Sequence, residues 1–441
     1  MKSIRTFAAR ALLAAIAWAA VAVAPAPAGA APPDPLDSLR ASPALDLALF
    51  TRAALARNSS LGALRAARAA SEAKADRAGA WMGPMLEGMA APRSFGSDAV
   101  EPAWAISLSQ QVPIFGQRGL ARRASRAEAR AAGEDVRAMR LDVAREASRL
   151  YYRMYEIARA EAVTEELRGL VEQFRRVAIQ KYAAGTVGQS DALQAEVEIA
   201  MLDHERVMLA RERRITTARA KALLHDADPA PLPDPPAALP PAAEPAEAVA
   251  PLGDASIESL PAVQARSAIR DARVEDHRLA RRTWLPDLTL TASYDRFMAE
   301  EEWRPMVGIG LNLPLWARPK AAEREARASV ERAERERDAA RDRARAELTE
   351  ARARVEETAH EVHILETGVL PATERLLVSA RAAYEANRGD FLTLLSAERD
   401  LSRARLARHR AEASYRTALA DLEWARGVEP PAPVPESEGV R

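Results

Sequence analysis

No cysteine occurs among the 441 residues, which excludes disulfides, a thiol nucleophile, a Cys-ligated zinc site and a lipidated N-terminal cysteine. Aromatic residues make up only 5% of the chain, too few for one large conventional core. Charge of one sign is missing too. The 63 Lys and Arg balance 63 Asp and Glu, so no net field draws the chain to nucleic acid. Beyond the N-terminus no apolar run approaches the length of a membrane-spanning helix, and any contact with a bilayer has to be made through strands. Nucleophile elbows, phosphate loops and metal-ligand motifs are absent as well, so nothing reads as an enzyme and no cofactor is expected. What remains is Ala, Arg, Glu and Leu in long helix-forming stretches, broken at a few sharp points.

Lys2, Arg5 and Arg10 precede an apolar stretch from Ala11 to Val23 and the small-residue run Ala28-Gly29-Ala30, the pattern of a secretory signal peptide over 1–30. The rest is organised around Gln111-Val112-Pro113-Ile114-Phe115-Gly116-Gln117-Arg118, where alternation gives way to helical periodicity. Upstream, Trp104, Ile106, Leu108, Gln110 and Val112 alternate with Ala103, Ala105, Ser107, Ser109 and Gln111, which predicts a strand. Downstream, Gln117 to Ala183 predicts one helix roughly 100 Å long. Along it Val143, Ala147, Leu150, Met154, Ile157, Thr164, Leu167 and Val171 recur at steps of three and four, as in a coiled-coil seam. The order then returns: Tyr182-Ala183-Ala184-Gly185 aligns with Tyr384-Glu385-Ala386-Asn387 at an offset of 202, and Ala195-Glu196 with Ala397-Glu398 at the same offset. The chain is a tandem duplication.

The predicted first repeat, 31–228, holds a helix, a β-hairpin at 85–115, a long helix at 117–183 and a return helix at 190–225. A proline-rich linker follows at 229–256, with nine prolines between Pro229 and Pro251. The second repeat, 257–427, holds a helix, a β-hairpin at 286–316, a long helix at 319–386 and a return helix at 390–426, and a disordered tail closes the chain at 428–441. In finer detail, Asp34 to Pro43 reads as an extended arm, Leu45 to Ala80 as one helix, Ile257 to Thr283 as another, and Pro371 as a kink in the second rod. Within the hairpins, Leu288, Leu290, Ala292 and Tyr294 alternate with Thr289, Thr291 and Ser293, and Val307, Ile309, Leu311 and Leu313 with Gly308, Gly310 and Asn312. Strands apolar on one face and Ser, Thr, Gly or Asn on the other suit a wall between lipid and water. Four strands cannot close a membrane barrel, so several chains must share one. Two chains supply eight strands and three supply twelve, and only the larger leaves a plausible lumen.

The Pro-x-aromatic-Gly junction at Pro113-Ile114-Phe115-Gly116, its echo Pro314-Leu315-Trp316, the two Tyr-led turns and the run Phe391-Leu392-Thr393-Leu394-Leu395-Ser396-Ala397-Glu398 together resemble the outer membrane efflux protein family, the TolC-like duct proteins. The resemblance covers the whole mature chain, and Gln110-Gln111-Val112-Pro113-Ile114-Phe115-Gly116-Gln117-Arg118 most resembles its heavy-metal cation branch. It implies a mainly α fold with a small β part: duplicated helical hairpins forming a periplasmic α-barrel, plus four strands per chain in a trimeric 12-stranded outer-membrane β-barrel. The implied partners are two further copies, outer-membrane lipid, a periplasmic adaptor (membrane fusion) protein and an inner-membrane pump of the resistance-nodulation-division type. A soluble periplasmic coiled-coil adaptor or scaffold is the rival reading; it shares the signal peptide and the rods but has no need of hairpins with lipid-type alternation.

In a passive duct the residues that matter dock the adaptor and close the periplasmic mouth. Gly185, Gly188, Asn387 and Gly389 are the expected docking tips. Asp191, Asp390, Glu196 and Glu398 lie within about two helical turns of those tips, and rings of carboxylates near Tyr182 and Tyr384 would attract cations or gate the opening. The plain alternative is that Asp191 and Asp390 cap helices. In the second repeat the family often carries acids slightly further along, where this chain has Thr393 and Ser396. His360 and His363, one turn apart, could bind a transition metal but lack a ligand set of known spacing, so they read as a solvated face. Met82, Met85 and Met89 read as packing where a helix enters the bilayer rather than as soft-metal ligands.

Overall fold

A computed structural model describes residues 34–91, 103–185, 187–241, 254–295, 304–312, 319–386 and 388–428. The signal segment 1–30, Pro314-Leu315-Trp316, Asn387 and all of the tail but Val428 lie outside the described residues.

The N-terminal arm is helical where an extended segment was expected. Asp34 accepts a hydrogen bond from the Leu36 amide and Pro35 occupies the first helical position, which together start helix α1, Pro35–Arg40. The predicted helix at 45–80 is two helices, α2 (Leu47–Arg57) and α3 (Ser59–Ala78). Asn58, in extended conformation, ends one and caps the other: its Oδ1 accepts from the Leu61 amide and its Nδ2 donates to the Leu223 carbonyl. Strands β1 (Met85–Ala91) and β2 (Ala103–Val112) follow, then α4, Gln117–Ala183, unbroken for 67 residues, and α5, Gln189–Leu223.

The second repeat starts inside the predicted linker, with α6 (Asp254–Glu258), and Pro261 opens a separate helix α7 (Pro261–Ala280) because proline suits a first turn and no later one. Strands β3 (Asp287–Asp295) and β4 (Arg304–Asn312) lead to α8 (Pro319–Ile364), a π-helical turn at Leu365–Val369, α9 (Leu370–Glu385) and α10 (Phe391–Ala425). The π-turn stands where Pro371 predicts a kink: a proline there has no amide to donate, and the widened turn takes up the mismatch.

The four strands form one antiparallel sheet in the order β1-β2-β3-β4. Each strand passes into a helix of the same rank, since α3 leads into β1, α4 leaves β2, α7 leads into β3 and α8 follows β4. The helices keep that order as neighbours, α3 on α4, α4 on α7 and α7 on α8. Farther from the sheet the wall reads α5, α4, α10, α9, with α4 common to both halves. The sheet thus continues as a wall of helices.

Midway along α4 the main core gathers Phe50, Leu55, Leu61, Leu150, Tyr151 and Tyr155. The proline-rich segment is fastened to this core. Leu232 and Leu239 pack on it, the Leu45 amide donates to the Asp234 carbonyl at 2.9 Å, and Lys221 Nζ donates to the Asp228 carbonyl at 2.8 Å. Among the described residues no helix is long and apolar enough to cross a membrane.

Candidate functional site

Two regions stand out, the sheet and the far ends of the helical hairpins. In the sheet, directly paired residues share a face. Pairings Leu86↔Leu108, Ile106↔Tyr294, Leu290↔Ile309 and Leu288↔Leu311 make one face mainly apolar, with Gln110 at its helix-side end. Glu87↔Ser107, Ser109↔Thr291, Ser107↔Ser293 and Thr289↔Gly310 make the other polar. The apolar face is bare: Leu86 is 71% exposed, Val307 85% and Ile309 73%. An exposed apolar surface of this extent needs a nonaqueous neighbour. Strands β1 and β4 each have one unpaired edge, which a bilayer does not tolerate. Met85, Met89 and Met306 fall on the polar face by register.

At the other end, α4 turns into α5 through Gly185 at φ +70°, a left-handed conformation that favours glycine. The second turn closes on itself, with the Arg388 and Gly389 amides both donating to the Ala383 carbonyl. A Cβ at Gly389 would come within 3.1 Å of the Tyr384 amide, a contact tighter than most, so this tip favours a glycine. The two tips meet. Phe391 of α10 packs edge-on against Phe174 of α4 and Tyr384 of α9, and the Lys181 ammonium lies 4.1 Å from the centre of the Tyr384 ring. Burial, and next the charge of Asp191, push the Tyr384 phenol above its ordinary range.

The structure therefore brings Lys181 of the first repeat onto the ring of Tyr384 of the second. Among the described residues the Tyr384 hydroxyl has no hydrogen-bond partner, and Tyr182 is exposed. Asp390 caps α10 by accepting from the Thr393 amide at 3.2 Å, and hydrogen bonding from Thr393 holds its carboxyl below the usual range. Asp191 is not the cap of α5, since Gly188 occupies that position; it accepts a hydrogen bond from the Ser190 hydroxyl at 3.3 Å. Glu196 pairs with Arg175 at 3.3 Å. Glu398 is buried, and burial pushes its carboxyl upward. His360 and His363 are exposed, and among the described residues no group of three His, Cys, Asp or Glu is placed to hold a metal.

Lys181 and the buried Glu198–Arg399 ion pair between α5 and α10 were not among the residues the sequence pointed to. Glu198 carried a signal, because Ala195, Glu198 and Leu202 share the buried stripe of α5 at steps of three and four. Arg399 and Lys181 carried none, as both reach the contact by long side chains set beside the stripe.

Residues 51–224 and 252–428, the two repeats, each match the family model described as outer membrane efflux protein. A membrane protein from Pseudomonas aeruginosa superposes with a TM-score of 0.75 at 21% identity, covering 86% of this chain and 90% of its own. The CmeC outer membrane channel of Campylobacter jejuni gives 0.76 at 16% identity, covering 86% and 85%. CusC, which forms a transmembrane channel, gives 0.75 at 17%, covering 86% and 91%. No curated protein sequence matches the chain. With both repeats matched and the sheet and helical wall superposed on solved channels, the chain belongs to the outer membrane efflux protein family.

Proposed function

We propose that three copies of this chain close a twelve-stranded barrel in the outer membrane and continue it as a helical tube, the passive exit duct of a tripartite efflux pump. The observation that carries the reading is the sheet: four strands, one bare apolar face and two unpaired edges. Eight strands from two copies enclose only enough room for their own side chains, whereas twelve leave a passage. The helical flanks favour the same assembly. Leu193, Val197, Met201, Met208 and Ile215 make an exposed apolar stripe on α5, and Leu376 and Val378 are exposed on α9, at the two ends of the wall. Joining α9 of one copy to α5 of the next buries both. Extracted from membranes, the protein is expected in the outer-membrane fraction as an SDS-resistant, heat-modifiable trimer; recovery as a soluble periplasmic monomer would favour a scaffold instead.

The tips, with Gly185, Gly188 and Gly389 at their ends, are the docking points for a periplasmic adaptor protein, which couples the duct to an inner-membrane pump of the resistance-nodulation-division type. Asp191, Lys181 and Tyr384 hold the two hairpins of one copy together there and narrow the mouth, with Asp390, Glu196, Glu398 and Tyr182 around them. A cation over an aromatic ring contributes about 0.5–1 kcal/mol at an exposed site, so Lys181→Met should raise the open population about two- to fivefold. Tyr384→Phe keeps the ring and should leave single-channel conductance in planar bilayers unchanged; a large effect from it alone would count against this clasp.

Heavy-metal cations are the proposed cargo. On the polar face the register aligns the positions of Glu87 and Asp287, carboxylates that favour cations in a lumen. Deleting the gene should sensitise cells to Zn, Co, Cd, Cu or Ag more than to detergents and dyes, and unchanged metal tolerance would remove this assignment.

A further inference from the structure

We propose that the arginine and tryptophan collar where the sheet meets the helices is a docking surface for anionic phospholipid headgroups of the leaflet facing the periplasm, which rests on the apolar sheet face being in lipid. Three chain ends meet at this level: the end of α3 before β1, the start of α4 after β2 and the end of α7 before β3. The apolar face of the sheet runs into it. Just beyond the strand ends Met82, Ile114 and Trp284 are exposed, and Gln110 Nε2 donates to the Met82 carbonyl at 2.8 Å. Trp81 and Trp284 are 57% and 59% exposed here, although a buried site is the usual place for so large a ring.

Arginine lies over the Trp81 ring, and Arg281 and Arg282 shortly precede Trp284 in the chain. The Arg118 guanidinium lies 4.0 Å from the centre of the Trp81 ring, the Arg122 side chain crosses Gly79 so closely that a Cβ there would meet its Cδ at 2.9 Å, and Arg282 Nη1 donates to the Phe115 carbonyl at 2.6 Å. Their neighbours Arg123 and Arg281 pair with Glu275 and Glu323 at 2.9 and 3.6 Å. Arg118, Arg122 and Arg282 have no carboxylate partner among the described residues. These three side chains leave positive charge without a carboxylate partner in one band, edged by exposed tryptophan and contiguous with the apolar face. Guanidinium groups suit phosphate because their paired donors match its oxygens, and tryptophan suits the headgroup level because one end is apolar and the other wet. The band is therefore complementary to phosphodiester headgroups in both charge and depth.

The test uses the full-length trimer in vesicles of phosphatidylcholine with increasing brominated phosphatidylglycerol, reading tryptophan quenching as a relative lipid affinity. Each arginine at a membrane surface contributes about fivefold, so Arg122→Gln, an exposed site that should fold normally, loses about fivefold of the preference, and the Arg118→Gln/Arg122→Gln/Arg282→Gln variant loses nearly all of it. Equal affinity for the two lipids in the unaltered protein, or an undiminished preference in the triple variant, would overturn the proposal. Free inorganic phosphate at millimolar concentration should leave the quenching unchanged, and displacement by it would overturn the assignment to a lipid surface. A trimer that inserts without lipid preference removes this inference alone, whereas failure to insert removes the reading beneath it.

Discussion

Asp421→Ala is expected to lower the stability of the protein by about 3–5 kcal/mol, the cost of breaking a buried ion pair by removing one partner. Asp421 is 5% exposed on α10 and is the meeting point of two arginines from α4. Arg145 Nε donates to its Oδ1 at 2.7 Å, and Arg149 donates to both oxygens, at 3.0 and 2.9 Å. Arg145 also stacks 4.1 Å from the centre of the Trp424 ring, whose indole N–H donates to Asp142 at 2.8 Å. Alanine leaves two half-buried guanidinium groups facing each other with nothing between them. Against a typical total of 5–15 kcal/mol, the loss is large enough to cut the yield of SDS-resistant trimer and lower the melting temperature followed by circular dichroism. Asp421→Asn keeps the shape and one acceptor and should cost less, about 1–3 kcal/mol.

Acid provides a second reading of the same contact. Burial pushes the Asp421 carboxyl upward, but the hydrogen bonds and charges of Arg149 and Arg145 outweigh it and hold the group below its ordinary value. A depressed native pKa means that the stabilisation is complete above the unfolded value of about 3.9 and is lost as the pH falls through the lower native value. The unaltered protein should therefore lose stability below about pH 4 by an increment that Asp421→Asn lacks. A melting temperature unmoved by alanine, or an acid limb identical in the asparagine variant, would show that the cluster contributes nothing.

Asp421 also marks the limit of what the chain makes legible. It sits in a helix whose sequence reads as alternating charge, and its partners are 272 and 276 residues away, so no local pattern announces that it is buried. The strands were legible because a period of two is hard to mistake and the two hairpins repeat it. The rods were legible because their apolar steps of three and four run on without proline or glycine clusters. Breaks that rest on one side chain were not. Asn58 interrupts a helical pattern that continues on both sides in Ala53, Ala56, Leu61 and Leu64, and its capping bond replaces the helical one at little local cost. The tip clasp was half legible: the aligned tyrosine-led turns marked the place, while the partner of Tyr384 is Lys181, from a helix in the other repeat.

Charging neighbouring positions on β4 should have opposite consequences. Ile309 pairs with Leu290 on the apolar face and is 73% exposed, while Gly308 pairs with Thr291 on the polar face. If the apolar face meets lipid, Ile309→Arg places a guanidinium near the bilayer midplane, at about 2–4 kcal/mol per copy, and three copies bring the penalty to roughly 6–12 kcal/mol for one barrel. That should abolish assembly in the outer membrane and divert the protein to degradation. Gly308→Arg has room, since a Cβ there would sit 3.8 Å from the Thr291 Cβ, an ordinary contact. Its side chain enters water, so assembly should survive; three guanidinium groups in the lumen should lower conductance and turn the selectivity toward anions. The pair is diagnostic because a one-residue slip exchanges the two faces of a strand. Fractionation and planar-bilayer recordings of both variants decide it: insertion of the Ile309 variant together with loss of the Gly308 variant would mean that the apolar face lines the passage and the polar face meets something other than lipid.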